Sequence, residues 1–253
     1  MFDWYKNELI KPIYQESKIL IGLGDGFTEG YGSCSQELWE KCEWKIDNSV
    51  DNTEYQTSFY KNSWVHQLCD NFMPEYIPIN MGMAGRGNRA AVKELYLHPE
   101  LNFTTAKEKI VVFMLSDYER FDFVNRGYFD HTHFETMLPW KNQNVAQRIL
   151  WDSYANHIWS DRVGIIEMIL DISEAKLWCK ANNAKLVLCS TYRNDYERNN
   201  FIKTILEDCE CNNGRTPNYL MNRKDHVEKI VDIVDWDNFL KPKDFNCMVD
   251  LLL

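Results

Sequence analysis

Asp25 stands between two glycines, Gly24 and Gly26, directly after the apolar run Lys18-Ile-Leu-Ile-Gly-Leu23. A carboxylate in such a turn can orient a water or accept a proton. Two further places carry related chemistry. Asn88 follows the glycine-rich Met81-Gly-Met-Ala-Gly-Arg-Gly87, and Ser116-Asp117 follows Lys109-Ile-Val-Val-Phe-Met-Leu115. Together they offer two carboxylates, a hydroxyl, a side-chain amide and the backbone N–H of Gly85. Gly26 itself has no side-chain atom with which to attack anything.

Other spacings carry less. Gly22, Gly24, Gly26 and Gly30 suggest a dinucleotide fingerprint, but Phe27 takes the third glycine's place and Asn80, not an acid, ends the next strand. Cys209-Glu-Cys211 and His131-Thr-His133 could each hold a metal, yet neither has an evident third ligand, so no metal and no cofactor is expected. The eight cysteines form no Cys-x-x-Cys pair and no dense framework, which fits reduced thiols in a cytosolic setting.

The elements that must position these groups alternate in type. Strands are expected at 18–23, 76–80, 109–115 and 184–190, each short, apolar and bounded by polar residues. Helices are expected from Ser63, with Trp64, Leu68 and Phe72 at helical spacing, and at 88–97, 145–158, 161–181 and 217–234. Pro217 suits a first turn. In the long helix Ile165, Ile166, Ile169, Leu170, Ile172 and Leu177 are read as one broad apolar face, and Trp151, Trp159 and Trp178 as core. Residues 31–61 read as a polar loop, and 117–144 as a loop rich in aromatics. Such alternation predicts an α/β fold: a three-layer α/β/α sandwich on a mostly parallel sheet, with flavodoxin-like winding. Ligands of such sheets bind at the carboxyl ends of strands, where Asp25, Gly85 and Ser116 would fall.

The chain has 253 residues and reads as one domain over 1–253, without repeats or linkers. A net charge of −10 argues against nucleic acid as the main partner. No apolar run approaches the roughly 18 residues of a membrane helix, and the N-terminus lacks the pattern of a secretion signal. The final apolar run, Met248-Val-Asp-Leu-Leu-Leu253, reads as an element just beginning, as if a longer natural chain were cut there.

Three blocks in order resemble the SGNH (GDSL) hydrolase family, over about residues 18–195. These are Leu23-Gly-Asp-Gly-Phe-Thr-Glu-Gly30, Ile79-Asn-Met-Gly-Met-Ala-Gly-Arg-Gly-Asn88, and Val111-Val-Phe-Met-Leu-Ser-Asp117. Asn62-Ser-Trp-Val-His-Gln-Leu68 is similar to the tryptophan-bearing helix that often follows the first block. The resemblance implies a nucleophile at position 26, an oxyanion-hole N–H at Gly85, and a side-chain donor at position 116. The run Arg120-Phe-Asp-Phe123 is similar to phage-encoded members. It implies a tailed-phage origin, hence the host cytoplasm or incorporation in a virion.

The departures from that pattern decide the functional expectation. Gly26 replaces the serine, Ser116 replaces an asparagine, and nothing after residue 190 matches the family's Asp-x-x-His block; His226 falls inside an expected helix. Glycine at 26 also has a conformational explanation, a turn angle that other residues avoid. Deleting the nucleophile of another serine hydrolase costs on the order of 10⁶ in turnover. Two readings follow. One is a degenerate module, structural or ligand-binding, whose vestigial cleft (Asp25, Gly26, Gly85, Asn88, Ser116, Asp117) takes a small polar or carbohydrate-like ligand. The other is an active esterase on acylated carbohydrate. The aromatics Phe121, Phe123, Tyr128, Phe129, Phe134 and Trp140 within 118–144 pack a long loop, contact a protein partner or a second copy, or stack on sugar. Asp117, Glu119 and Arg120 read as a solvated loop with an internal ion pair, with contact to a substrate as the alternative.

Overall fold

The computed structural model describes residues 17–30, 61–83, 85–97, 106–125, 133–137, 145–190, 195–211 and 224–240. Its strands are β1 (Lys18–Leu23), β2 (Tyr76–Asn80), β3 (Glu108–Leu115), β4 (Phe121–Asn125), β5 (His133–Met137) and β6 (Lys185–Ser190). The helices are α1 (Gly26–Glu29), α2 (Trp64–Phe72), α3 (Asn88–Leu97), α4 (Val145–His157), α5 (Asp161–Ala181), α6 (Arg198–Cys211) and α7 (Lys224–Val231).

Strands β1, β2, β3 and β6 form one all-parallel sheet in the order β2-β1-β3-β6. Their lack of a polar face follows from burial on both sides, the usual state of a parallel sheet. Ile19, Ile21 and Leu23 of β1 join Val111, Phe113 and Leu115 of β3 in the larger core, beneath α3, α5, α6 and α7. The intervening Leu20, Ile110, Val112 and Met114 face the other way, against Val65, Leu68 and Cys69 of α2. The result is a three-layer α/β/α sandwich. Each fully buried Ile or Leu in these layers contributes about 1.5–3 kcal/mol. Leu240 makes a parallel bridge to Cys189, beside β6 and away from β3. The thiols of Cys69, Cys179 and Cys189 are free and buried, and burial pushes each up to about 12, so they behave as core side chains.

Several expectations need correction. Leu170 and Leu177 are 54% and 64% exposed. They lie five and twelve residues beyond Ile165, rotated by about 140° and 120° from it, so they cannot share its face. Trp178 is buried, but Trp151 and Trp159 are only half-buried. The segment expected as a loop over 117–144 contains the antiparallel hairpin β4–β5, with Phe121 opposite Met137. Helix α6 is absent from the expected elements altogether. The last helix begins at Lys224, and Pro217 lies outside the described residues, as do residues 31–60, 138–144 and 241–253. The same holds for Tyr128, Phe129, His131 and Trp140, and for the side chains of Phe121, Phe123, His133, Phe134, Cys209 and Cys211. Among the described residues no helix is long and apolar enough to cross a membrane, and no three metal-ligating side chains gather.

Candidate functional site

The sheet's winding reverses between β1 and β3, since β2 lies on one side of β1 and β6 on the far side of β3. In open parallel sheets such a switch point is where connections leave in opposite directions and a crevice for ligands forms at the carboxyl ends of the strands. The turn after β1 and the turn after β3 both lie at this point.

Tight packing shapes the turn after β1. Gly24 has φ of 152°, and a Cβ there would lie 2.3 Å from Thr28 Oγ1 and 2.9 Å from Met114 O. The chain then winds directly into α1, where Glu29 N–H donates to Asp25 O at 2.9 Å. Gly26 is the first residue of α1 and is not among the glycines at positive φ, which are Gly24, Gly30 and Gly85. Its helical conformation is open to any L-residue, so the conformational explanation for glycine at 26 does not hold. Asn80, at the end of β2, anchors the far side of this turn by donating from Nδ2 to Thr28 O at 2.7 Å.

Asn88 and Ser116 clasp each other between α3 and β3. Asn88 Oδ1 accepts from Ser116 N–H at 2.9 Å and from Ser116 Oγ–H at 3.1 Å, while Asn88 Nδ2 donates to Ser116 O at 3.1 Å. Both residues are buried. Thr28, the other buried hydroxyl at the crevice, donates to Leu23 O at 3.3 Å. Gly85 occupies the turn before α3, with φ of 82°.

Asp117 builds the next turn. Its Oδ1 accepts from Glu119 N–H at 3.2 Å, and its carbonyl accepts from Arg120 N–H at 3.2 Å. That turn carries Arg120 inward, not into solvent as expected. Arg120 Nη1 lies 2.9 Å from Asp25 Oδ2 and donates to Arg86 O at 2.7 Å, with the two paired side chains only 8% and 2% exposed. Arg86 in turn pairs with Glu94 of α3 at 2.6 Å. Asp25 therefore meets a guanidinium across the crevice.

Asp122, the second residue of β4, completes the site. Its Oδ1 accepts from Gly87 N–H at 3.1 Å and its Oδ2 from Ala90 N–H at 2.9 Å. A carboxylate so placed caps the N-terminus of α3, where N–H groups lack helical partners and the dipole favours negative charge. A Cβ on Gly87 would approach that carboxylate to 2.5 Å.

The structure thus brings Asp25, Gly26, Asn88 and Ser116 to the ends of β1 and β3, with Gly85 and Asp117 in the turns that flank them. Sequence reasoning missed Asp122, Arg89 and Asp171, and placed Arg120 in a solvated loop. Arg120 and Asp122 look like surface charges, and only the returning hairpin turns them inward. Asp171 did leave a signal: it is an acid on the same side of α5 as the buried Met168, Ala175 and Trp178.

Compared with known proteins, the chain matches no family model and no curated sequence. What this arrangement can do chemically is bind and orient. Its carboxylate is held by a guanidinium, and its two buried hydroxyls donate to protein acceptors.

Proposed function

We propose that this chain is a non-catalytic module on an SGNH-hydrolase-like scaffold, a binding or structural subunit of phage origin. The observation that carries this reading is the pair at the end of β1. Position 26 opens α1 with no side chain, and the carboxylate before it is ion-paired with Arg120 at 2.9 Å. Acyl transfer needs a nucleophile, a base and oxyanion donors acting together. Here the first is lacking, and the Ser116 hydroxyl donates to Asn88. The three sequence blocks and the β2-β1-β3-β6 order support the scaffold assignment. The crevice serves as a small polar site, and the aromatic segment 118–144 serves as the surface for a protein partner or a second copy.

The test is hydrolysis of a chromogenic short-chain ester by the purified chain beside its Gly26→Ser variant. The parent is expected to match the buffer blank. Turnover by the parent that disappears in Asp25→Asn would overturn the reading in favour of an active esterase. Sizing chromatography tests the surface: a strict monomer at high concentration counts against self-assembly through 118–144.

A further inference from the structure

The outer face of α5 carries a mainly apolar row that the rest of the fold leaves uncovered. Val163, Ile166, Leu170, Ser173 and Leu177 alternate in spacing between three and four residues, the pattern by which one helix packs knobs-into-holes on another. The core face of α5 has its own row, built on Ile165, Met168, Ile172 and Ala175, so the outer one is not surplus core. Leu177 is the most exposed large hydrophobic side chain among the described residues. Tyr96 of α3 widens the surface: its hydroxyl donates to Glu174 O at 3.3 Å, which seats its exposed ring beside the row. An apolar surface drawn from two helices is the mark of a protein contact.

Charge selects the partner. At about 100° per residue, Arg162 and Lys180 border the row on one edge, and Glu167 and Glu174 border it on the other. Both glutamates also meet α3, through Arg89 and Lys93, which holds that edge in place. A helix with the same borders laid antiparallel would set acids against acids. Laid parallel, it sets the cationic edge of each helix against the acidic edge of the other, with Arg162 facing Glu167. The occupant that fits is a helix with a matching apolar row, cations on one edge and acids on the other. Helix α5 is itself such a helix.

We propose that two copies of this chain associate through α5, parallel and face to face, about a two-fold axis that runs along the row. Each residue of the row then meets its own counterpart, as in any isologous contact. This association involves neither the crevice at β1 nor the segment 118–144.

Ser173→Cys in the full chain tests it. Counterparts on facing parallel helices fall within the Cα separation of about 4–7 Å that a disulfide spans. Mild oxidation should therefore give a covalent dimer well above the background of the wild-type chain and of Lys185→Cys, an exposed position at the start of β6. Leu177→Asp, at a site open to solvent, should keep the circular dichroism of the fold. It should raise the dimer dissociation constant about a hundredfold or more in sedimentation, because the symmetry removes a leucine from both sides. Arg162→Glu and Glu167→Arg should each weaken the dimer, and the two together should restore it. Cross-linking of Ser173→Cys no greater than that of Lys185→Cys would overturn the proposal. So would a dimer that survives Leu177→Asp, which would be held by another surface. A chain that stays monomeric at high concentration would reserve this face for a different protein, and would overturn it as well.

Discussion

Asp25 and Asp171 are both buried carboxylates beside an arginine, but they meet it differently. Asp25 has Arg120 at hydrogen-bonding distance, with the guanidinium further held by Arg86 O. Asp171 has Arg89 at 3.6 Å, shared with Glu167, on a side chain that is itself 36% exposed. Burial pushes Asp171 up to about 7; Arg89 opposes that shift, while the like charges of Asp122, Glu167 and Glu174 add to it. The lesson is that an arginine nearby does not settle a carboxylate's state. For Asp171 burial outweighs the opposing charge of Arg89. The first pair locks two turns together, and the second leaves a titratable group at neutral pH.

The largest test of this contrast is Arg120→Met. It strands a buried Asp25 without its guanidinium and should cost about 3–5 kcal/mol in denaturant unfolding. Combining it with Asp25→Asn should recover part of that loss, because no buried charge then remains. A loss below about 1 kcal/mol, the range of exposed ion pairs, would show that water reaches Asp25 and that the two sites do not differ as argued.

Asp171→Asn comes next, and its effect depends on pH. The folded-state value lies above the ordinary 3.8, so the folded chain binds the proton more tightly than the unfolded one. Stability from that proton is fully present below about pH 4 and is lost as pH rises towards about 7. The wild type should therefore lose stability relative to Asp171→Asn between these values, by on the order of 2–4 kcal/mol, and the difference should level off above them. Unfolding free energies of both proteins at pH 4, 5.5, 7 and 8.5 would check this. A difference that is flat across the range would mean that Asp171 is properly satisfied.

The same contrast marks how far the sequence could be read. The sheet was legible because each strand is a short apolar run, and β1 and β3 bury alternate residues on opposite faces. The turns at the ends of β1 and β3 were legible too, since glycine and small polar residues follow those runs. Helix α6 escaped notice because Phe201, Ile202 and Ile205 are set among asparagines, acids and one lysine, giving a narrow stripe. Exposed Leu170 and Leu177 misled in the opposite sense, because counting apolar residues along α5 ignored their angle around it. The partners of the buried acids were not legible at all. Arg120 lies 95 positions from Asp25, and nothing local to Asp117-Tyr-Glu-Arg120 says which way that turn folds.

The smallest effect concerns the hydroxyl at the crevice. Ser116→Ala removes one hydrogen bond to Asn88 Oδ1 and leaves the two backbone bonds of the clasp intact. Loss of one such buried bond should cost about 0.5–1.5 kcal/mol. Asn88→Ala breaks all three and should cost clearly more, so the ratio of the two measures how far the hydroxyl belongs to the clasp. If Ser116→Ala left stability unchanged, the hydroxyl would be free to turn towards a ligand. The crevice would then hold an available donor beside Asp25, and the case for a purely structural role at β3's exit would fail while the Asp25–Arg120 lock still stood.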